Sequence, residues 1–376
     1  MIVPILKFLF VSSTLTQLGY WLFVFSKLAF YKKIKNTNQD AVKTDLLPNR
    51  PANPVSIVIC ARNEAVNLEK NLPHILSQDY GNYEVLVVND ASTDETEAIL
   101  TAFQNRYANL KIRTISEKKI KGKKGSLAAG IEAAAHELLL LTDADCYPLS
   151  NQWLAGMVDG LKNKEIGLGY APYKKSDTLL NRFIRYETVW TATQYMGFAL
   201  AGMPYMGVGR NMIYMKKMYK IANGFQKHEK IVSGDDDLFV NAIITKNNFE
   251  IILNPETFMY SEPHTQWIAY FTQKKRHFST ATHYTLKHQI ILGMLSLSHF
   301  VHFVTAVWLL ALKISTIFVI CFIVIRWLTI FMFYGKILRK FRETDLLPSV
   351  LALDIVHVFF YIIFAPTLIF KSQKWQ

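Results

Sequence analysis

The sequence predicts an α/β domain with a mostly parallel, Rossmann-like central sheet, flanked on both sides by transmembrane helices. Two patterns indicate this fold class. Apolar residues are concentrated at the two ends of the chain, and short β-branched runs alternate with helical patterns in the middle. Of the 376 residues, 51% are hydrophobic and 19% are charged. This composition excludes a disordered chain, and the length allows roughly two to three domains.

Residues 1–31 predict an N-terminal transmembrane helix. They are almost entirely apolar, and the basic residues Lys32 and Lys33 follow them directly. An apolar stretch of about 20 residues that ends in a basic run is typical of a spanning helix whose C-terminal end faces the cytoplasm. A cleaved signal peptide is the alternative, but no small-residue cleavage site is evident. Residues 32–53 would then form a basic linker.

Residues 54–265 predict one domain in which strands alternate with helices, the order that produces a parallel sheet. Ser92 and Glu95 predict a capping box for the helix after the second strand. Ligands of such sheets bind at the carboxyl ends of the strands, so the residues after each strand are the first candidates for a site. Buried strands are predicted at 55–60, 83–88, 110–114 and 138–141.

Polar and acidic residues follow three of these strands. Asn63 and Glu64 follow the first strand, and Asp90 follows the second. Asp143 and Asp145 follow the fourth strand, and two carboxylates spaced in this way suit a hard divalent cation such as Mg²⁺ or Mn²⁺. The first strand is not followed by Gly-x-Gly-x-x-Gly, and the sequence has no Gly-Lys-Ser/Thr phosphate loop. These absences argue against a dinucleotide oxidoreductase and a P-loop ATPase.

Three adjacent carboxylates, Asp235, Asp236 and Asp237, stand at the start of another helical pattern. Their mutual repulsion can raise the pKa of one of them and leave it competent as a general base. The alternative is that they only complement the helix dipole, which would require a single acid. Lys123, just before a helix, is a candidate for meeting a phosphate or else belongs to an exposed run of charge.

Residues 266–288 predict a juxtamembrane or interfacial helix. Gln273 and Arg276 share one face of it, so that an amide and a forked guanidinium can grip a diphosphate. The alternative is a set of basic residues that meet anionic lipid, which would account for Lys274 and Lys275. The formal net charge of +13 likewise indicates anionic partners, such as lipid headgroups, phosphorylated small molecules or nucleic acid.

Residues 289–371 predict about three more spanning helices. Four spans would leave the C-terminal basic tail outside, so one segment could instead be re-entrant or interfacial. Arg326 and Asp354 lie inside the predicted spans, where charges are costly. We expect them to form a contact between two helices, and a groove for a lipid or glycan is the alternative. The apolar runs are 290–312, 315–334 and 347–370, and a basic, cytoplasmic link at 336–342 separates the last two.

These motifs resemble the membrane-bound family 2 glycosyltransferases, which have a GT-A domain. The resemblance covers roughly residues 54–277, and the flanking spans are typical of the synthase-like members. Each motif alone is a modest signal, but their common order makes the resemblance specific. The matching segments are 61–64, 89–94, 122–127, 143–145, 209–211 with 224–225, 234–236 and 273–276.

The resemblance implies a role for each candidate residue. Asp236, or its neighbour Asp235, would be the general base, and Asp145 would bind Mg²⁺ or Mn²⁺. Gln273 and Arg276 would hold the diphosphate or the acceptor. The nucleotide sugar, UDP-linked in this interpretation, would be bound by Ala61, Asn63, Glu64, Asp90, Lys123 and Asp143.

The implied activity is that of an inverting, metal-dependent hexosyltransferase of the bacterial inner membrane, with a cytoplasmic catalytic domain and a product in the cell envelope. Its partners would be a nucleotide-sugar donor, a lipid-linked or saccharide acceptor and the bilayer, with no nucleic acid. His277 stands where synthase-like members usually have Trp, which argues against processive synthesis. A processive polysaccharide synthase, a glycosyl-phosphoryl-lipid synthase and an inactive scaffold that binds nucleotide sugar remain the alternatives.

Overall fold

The computed structural model describes residues 2–32, 53–116, 120, 122–231 and 233–369, with side chains described up to residue 364. Most of the predicted basic linker, residues 33–52, lies outside the described residues, as does the C-terminal tail from residue 370. The described residues form an α/β domain that packs against a bundle of long helices.

A seven-stranded sheet forms the centre of the α/β domain, with the strand order β3-β2-β1-β4-β7-β6-β8. Only β7 is antiparallel to its neighbours, so the predicted, mostly parallel sheet is confirmed. The strands are β1 Val55–Ala61, β2 Tyr83–Asp90, β3 Leu110–Ile115, β4 Leu138–Asp143, β6 Ile166–Gly169, β7 Met212–Met215 and β8 Phe249–Ile252. A separate pair joins β5 Cys146–Pro148 to β9 Met259–Ser261 in antiparallel orientation.

Helices cover both faces of this sheet because its central strands are apolar on both sides. In β1, Ile57 and Ile59 pack into one core cluster, whereas Val58 packs into the other. Gly130 allows the close approach of its helix, since a Cβ there would lie 2.7 Å from Val58. The helices are α3 Ala65–Leu76, α4 Thr96–Gln104, α5 Lys123–Ala133, α6 Trp153–Leu161, α7 Leu179–Leu200, α8 Lys216–Ile221, α9 Asp237–Ile243 and α10 Trp267–Phe278.

The predicted capping box of Ser92 and Glu95 is wrong. Helix α4 begins at Thr96, its N-cap residue Glu95 makes no capping hydrogen bond, and the backbone N–H of Thr96 donates to Asp94 at 3.1 Å. The Ser92 hydroxyl instead accepts a hydrogen bond from the backbone N–H of Asn63 at 3.0 Å. The polar residues of this loop therefore join the ends of two strands, a long-range use that local sequence spacing does not reveal.

Four helical segments are long and apolar enough to cross a membrane, as predicted. Helix α12 is longer than its apolar run, so the basic residues at 336–341 belong to its last turns and not to a link. Its 26 residues span about 39 Å, more than the hydrocarbon core of a bilayer. The segments are Ile2–Ala29 (α1 Ile2–Tyr20, a π-helical turn Trp21–Phe25 and α2 Ser26–Ala29), α11 Leu286–Ala311, α12 Thr316–Phe341 and Thr344–Phe364, which contains most of α13 Val350–Ile369.

The predicted contact between the two charges inside the bundle is confirmed. Arg326 of α12 donates to Asp354 of α13 at 2.6 Å. His299 of α11 lies 3.1 Å from the same carboxylate, and Gln17 of α1 accepts from Arg326 at 3.4 Å. This buried cluster therefore joins all four segments, and its mutual pairing offsets the cost of placing charge in lipid.

Candidate active site

The loops after β1 and β2 are fastened side by side at the carboxyl edge of the sheet. Asn63 has a φ of 56°, and its side-chain oxygen accepts the backbone N–H of Thr93 at 2.8 Å. Ala61 ends β1 and pairs with Asn89. The predicted donor-binding residues of both loops therefore share one edge.

Two acidic residues, Asp90 and Glu64, also lie at this edge of the sheet. Asp90 is buried and accepts a hydrogen bond from Ser126 of α5 at 2.7 Å. Burial raises the pKa of Glu64, although Asn67 donates to its carboxylate at 2.6 Å and opposes that shift. The negative charges of Asp145 and Asp143 raise the pKa of Glu64 further, which places these carboxylates in one electrostatic neighbourhood.

Lys123 joins two of the acidic segments. Its Nζ lies 2.5 Å from Asp143 and 3.4 Å from Asp235. Burial alone would lower the pKa of Lys123, but the two carboxylates outweigh it and raise that pKa well above its usual value. The same ion pair lowers the pKa of Asp143 against the effect of burial. Lys123 is therefore part of the site, and the alternative of an exposed charge run is wrong.

Asp145 has surroundings that favour a cation. Burial and the nearby charge of Asp143 both raise the pKa of Asp145, so a positive charge beside it would be stabilised. Among the described residues, no group of three or more His, Cys, Asp and Glu side chains could hold a metal by itself. A Mg²⁺ or Mn²⁺ ion beside Asp145 would need its other oxygen ligands from a bound molecule and water.

The three adjacent aspartates have three different environments. Asp237 is buried and accepts hydrogen bonds from the hydroxyls of Thr280 and Tyr284, so its role is structural. Asp235 faces Lys123. Asp236 accepts the backbone N–H of Gly209 at 2.9 Å and the N–H of Asp237 at 2.7 Å.

Asp236 is the carboxylate whose protonation changes near neutral pH. Burial is the main cause, with the charges of Asp235 and Asp237 next, and together they raise the pKa of Asp236 to about 7. The predicted effect of adjacent carboxylates is thus present, although burial outweighs it. A general base with a pKa near the working pH is well suited to accept a proton.

Helix α10 brings Gln273 and Arg276 to the same cavity as the aspartates. His277, which follows Arg276 directly, is exposed. Lys274 is buried and forms an ion pair with Glu187 of α7. The alternative that Lys274 meets lipid headgroups is therefore wrong.

Arg210 is a site residue for which sequence analysis gave no role. Its guanidinium donates to Ser261 at 2.5 Å and to the backbone carbonyl of Ala171 at 2.9 Å. It also lies over the ring of Tyr173 at 4.4 Å. The motif at 209–211 was the sequence signal that could have pointed to Arg210. The hydrogen-bond partners of Arg210 lie far away in the sequence, so residue spacing does not reveal them.

A cavity of about 540 Å³ runs from the carboxylates into the helix bundle. Its walls include residues of α7, α11 and α13 in addition to the α/β domain. Ala61, Asn63, Glu64 and Asp90 lie at the adjoining strand ends and do not line it. The predicted residues that line it are Lys123, Asp143, Asp145, Asp235, Asp236, Gln273 and Arg276.

Comparison with known proteins agrees with this architecture. The model of glycosyl transferase family 2 matches residues 56–221, so this segment of the chain is similar to the family 2 glycosyltransferases. Glycosyltransferase AglE of Haloferax volcanii is 38% identical over 119 residues, which are 30% of this chain and 37% of AglE. Beta-monoglucosyldiacylglycerol synthase of Nostoc sp. is 32% identical over 102 residues, 27% of this chain and 22% of the synthase. The matches thus span well under half of these relatives.

One solved structure matches almost the whole chain. It is the mannosyltransferase PcManGT from Pyrobaculum calidifontis, in complex with GDP-Man and Mn²⁺. The likeness has a TM-score of 0.58 at 18% identity and covers 96% of this chain and 99% of PcManGT. At this identity the likeness establishes the fold, a GT-A domain with its accompanying helices.

Proposed function

We propose that this protein transfers a sugar from a nucleotide sugar to the hydroxyl of a lipid-linked or saccharide acceptor at the membrane surface. The observation that carries the proposal is Asp236, a carboxylate with a pKa of about 7 that lines a cavity between the strand ends and the membrane helices. The similarity of residues 56–221 to the family 2 glycosyltransferases supports the class of reaction.

The reaction is a single displacement at the anomeric carbon. The acceptor oxygen forms a bond to that carbon, the bond to the diphosphate oxygen breaks, and the acceptor proton passes to Asp236. The attack and the departure occur on opposite faces of the sugar, so the configuration inverts. The hydrogen bond from Gly209 holds the Asp236 carboxylate in place for this transfer.

Cationic side chains of the site stabilise the charge that grows on the leaving diphosphate. Lys123, Arg210 and Arg276 line the cavity with the carboxylates, and Gln273 adds an amide donor. A Mg²⁺ or Mn²⁺ ion on Asp145 would supply further charge stabilisation to the diphosphate oxygens. The nucleoside of the donor, uridine if the donor is UDP-linked, would bind at the strand ends. The residues there are Ala61, Asn63, Glu64 and Asp90.

Replacement of the base tests this proposal. Asp236→Asn removes the proton acceptor and keeps the size of the side chain, so we expect transfer to fall at least ~100-fold. Binding of a nucleotide-sugar donor should change little, as measured by calorimetry on the purified protein. Asp177→Asn, at an exposed position outside the cavity, is the matched control. Substantial transfer by the Asp236 variant would exclude that residue as the base.

The alternatives predict different products. A processive synthase would lengthen its product with time, whereas a single transferase yields one product of fixed size on a gel. An inactive scaffold would bind the nucleotide sugar and release no nucleotide in the presence of Mn²⁺ and membranes. The coexistence of a candidate base, a cation-binding acid and diphosphate-binding cations in one cavity favours the enzyme.

A further inference from the structure

The inner part of the cavity is lined by the helices of the bundle and not by the strand ends of the α/β domain. Its walls come from α7, α11 and α13, among them Thr191, Gln194, Leu292, Gly293 and Phe360. These residues combine hydroxyl and amide groups with apolar and aromatic surface. Such a lining suits a ligand that is itself amphiphilic.

This inner part carries almost no net charge. Helices α7, α11 and α13 contribute one charged residue, Glu187, to the described lining of the inner part. Lys274 forms an ion pair with Glu187 and neutralises its charge. Lys123 and Arg276, which could meet a phosphate, lie with the carboxylates at the other end, where their charges act on Asp143. A phosphate deep in the inner part would therefore lack a free cation.

The cavity reaches the outer surface of the bundle and ends partway through it. Gln289 and Gly293 of α11 line the cavity and are also exposed. Ser296, the last residue of α11 that lines the cavity, is six residues after Ile290, where the apolar run begins, which corresponds to about 9 Å of helix and less than one leaflet of the hydrocarbon core.

Aromatic side chains form the floor at this depth. His357 and Tyr361 of α13 have ring centroids 4.8 Å apart, and both line the cavity. Beyond them lies the buried cluster of Arg326, Asp354 and His299, of which no member lines the cavity. The cavity thus extends from the carboxylates partway along the spanning helices and stops before this cluster.

We propose that this inner cavity, which deepens the proposed function, binds a neutral amphiphilic acceptor that enters from the bilayer between α11 and α13. The hydroxyl of its polar head would reach Asp236, and its hydrocarbon chain would leave along Leu292 and Gly293. A hydroxyl acceptor is also the kind that requires a general base, since a phosphate monoester is already ionised near neutral pH.

Gly293 allows a sharp test because a Cβ placed on it meets nothing within 4 Å. Gly293→Trp should fill the entrance without clashing with the fold. Gly19→Trp is the matched control, since Gly19 is also a glycine of a spanning helix with nothing within 4 Å and does not line the cavity. Gly293→Leu is a smaller substitution for the case in which the tryptophan variant does not fold.

The probe is dodecyl β-glucoside with a photoreactive diazirine at the end of its chain, added to the full-length protein in phosphatidylcholine nanodiscs. In the wild type and in Gly19→Trp we expect labelling of residues 286–311 and 350–369, competed by unlabelled dodecyl β-glucoside. Gly293→Trp should reduce this labelling at least tenfold. Labelling that Gly293→Trp and Gly293→Leu leave unchanged would overturn the proposed entrance.

Competition with dodecyl phosphate tests whether the cavity prefers an uncharged head group to a phosphate. We expect it to compete at least tenfold more weakly than dodecyl β-glucoside, and equal or stronger competition would overturn that part of the inference. UDP and GDP binding, measured on the same samples, separates this inference from the proposed function. If a nucleotide binds but labelling is absent, only the acceptor cavity is refuted, whereas loss of both would count against the transferase itself.

Discussion

The protonation of one carboxylate should control the rate of the reaction. Asp236 is effective as a base only when ionised, and burial with two neighbouring acids raises its pKa to about 7. Because the pKa is raised, the carboxylate is protonated below this pH and ionised above it. Activity should therefore be lost as the pH falls through about 7 and should level off above it.

A pH profile of kcat between pH 5.5 and 8.5, at saturating donor and acceptor, measures this dependence. We expect a rise of about tenfold for each pH unit below the pKa. The pKa values of Glu64 and Asp145 are also raised, so donor binding is measured separately at each pH to isolate the chemical step. A flat profile, or one that falls with rising pH, would contradict the role of Asp236.

Residue identity alone predicted the acids of the site but not their partners. The carboxylates after β2 and β4 were found because ligands gather at strand ends, and the structure places them there. The ion pair of Lys274 with Glu187 joins positions far apart in the chain, and so does the contact of Arg210 with Ser261. No local spacing encodes such pairs, since only the folded chain brings them together.

At the level of elements, the α/β domain is joined to the bundle by a buried ion pair. Arg185 of α7 is 2% exposed and pairs with Glu343, also 2% exposed, in the turn between α12 and α13. Arg185 also contacts Asp345, which Lys175 approaches at 2.6 Å. Beside them, Tyr170 stacks on Phe341 with centroids 4.2 Å apart.

Loss of this arginine should destabilise the protein markedly. Arg185→Met leaves the Glu343 carboxylate buried with only Lys175 nearby, at 3.7 Å, so we expect a cost of about 3 kcal/mol. The unfolding temperature in detergent, followed by tryptophan fluorescence, should fall by several degrees.

The control for this variant breaks an exposed pair. Lys217→Met removes the contact with Glu165 at 3.2 Å, where the lysine is 48% exposed, and should cost less than ~1 kcal/mol. Equal unfolding temperatures for the two variants would show that the Arg185 pair does not fasten the domain to the bundle.

Sequence patterns identified the first four strands of the sheet but not β6, β7 and β8. Strands β1, β2 and β4 are apolar, β-branched or leucine runs whose burial on both faces gives a clear pattern, and β3 was found from its alternating apolar residues. The strand Ile166–Gly169 has only four residues, two of them glycine. It is stabilised by pairing with β7 and β8, which are distant in the chain, so its local sequence carries little signal.

At the scale of the whole molecule, the α/β domain and its candidate site lie at one end of the bundle of spanning helices. Helix α12 projects its last turns, with Arg339 and Lys340, toward the α/β domain, and Lys340 contacts the backbone of Tyr31. Lys313, in the turn between α11 and α12, lies at the opposite end of the bundle. From the excess of basic residues on the side of the α/β domain, we expect this side to be cytoplasmic.

Labelling of single cysteines tests this orientation. Cys60, partly buried in the α/β domain, and Cys321, exposed on α12, would both be replaced by serine, which leaves the buried Cys146 as the one native thiol. We expect Asp177→Cys, on the α/β domain, to react with an impermeant maleimide only in inverted membrane vesicles. Lys313→Cys should react only in intact cells, because the residues lie on opposite sides of the bilayer. Reaction of both cysteines from one side would show that α11 or a neighbouring helix does not cross, and the acceptor cavity would then lie outside the bilayer.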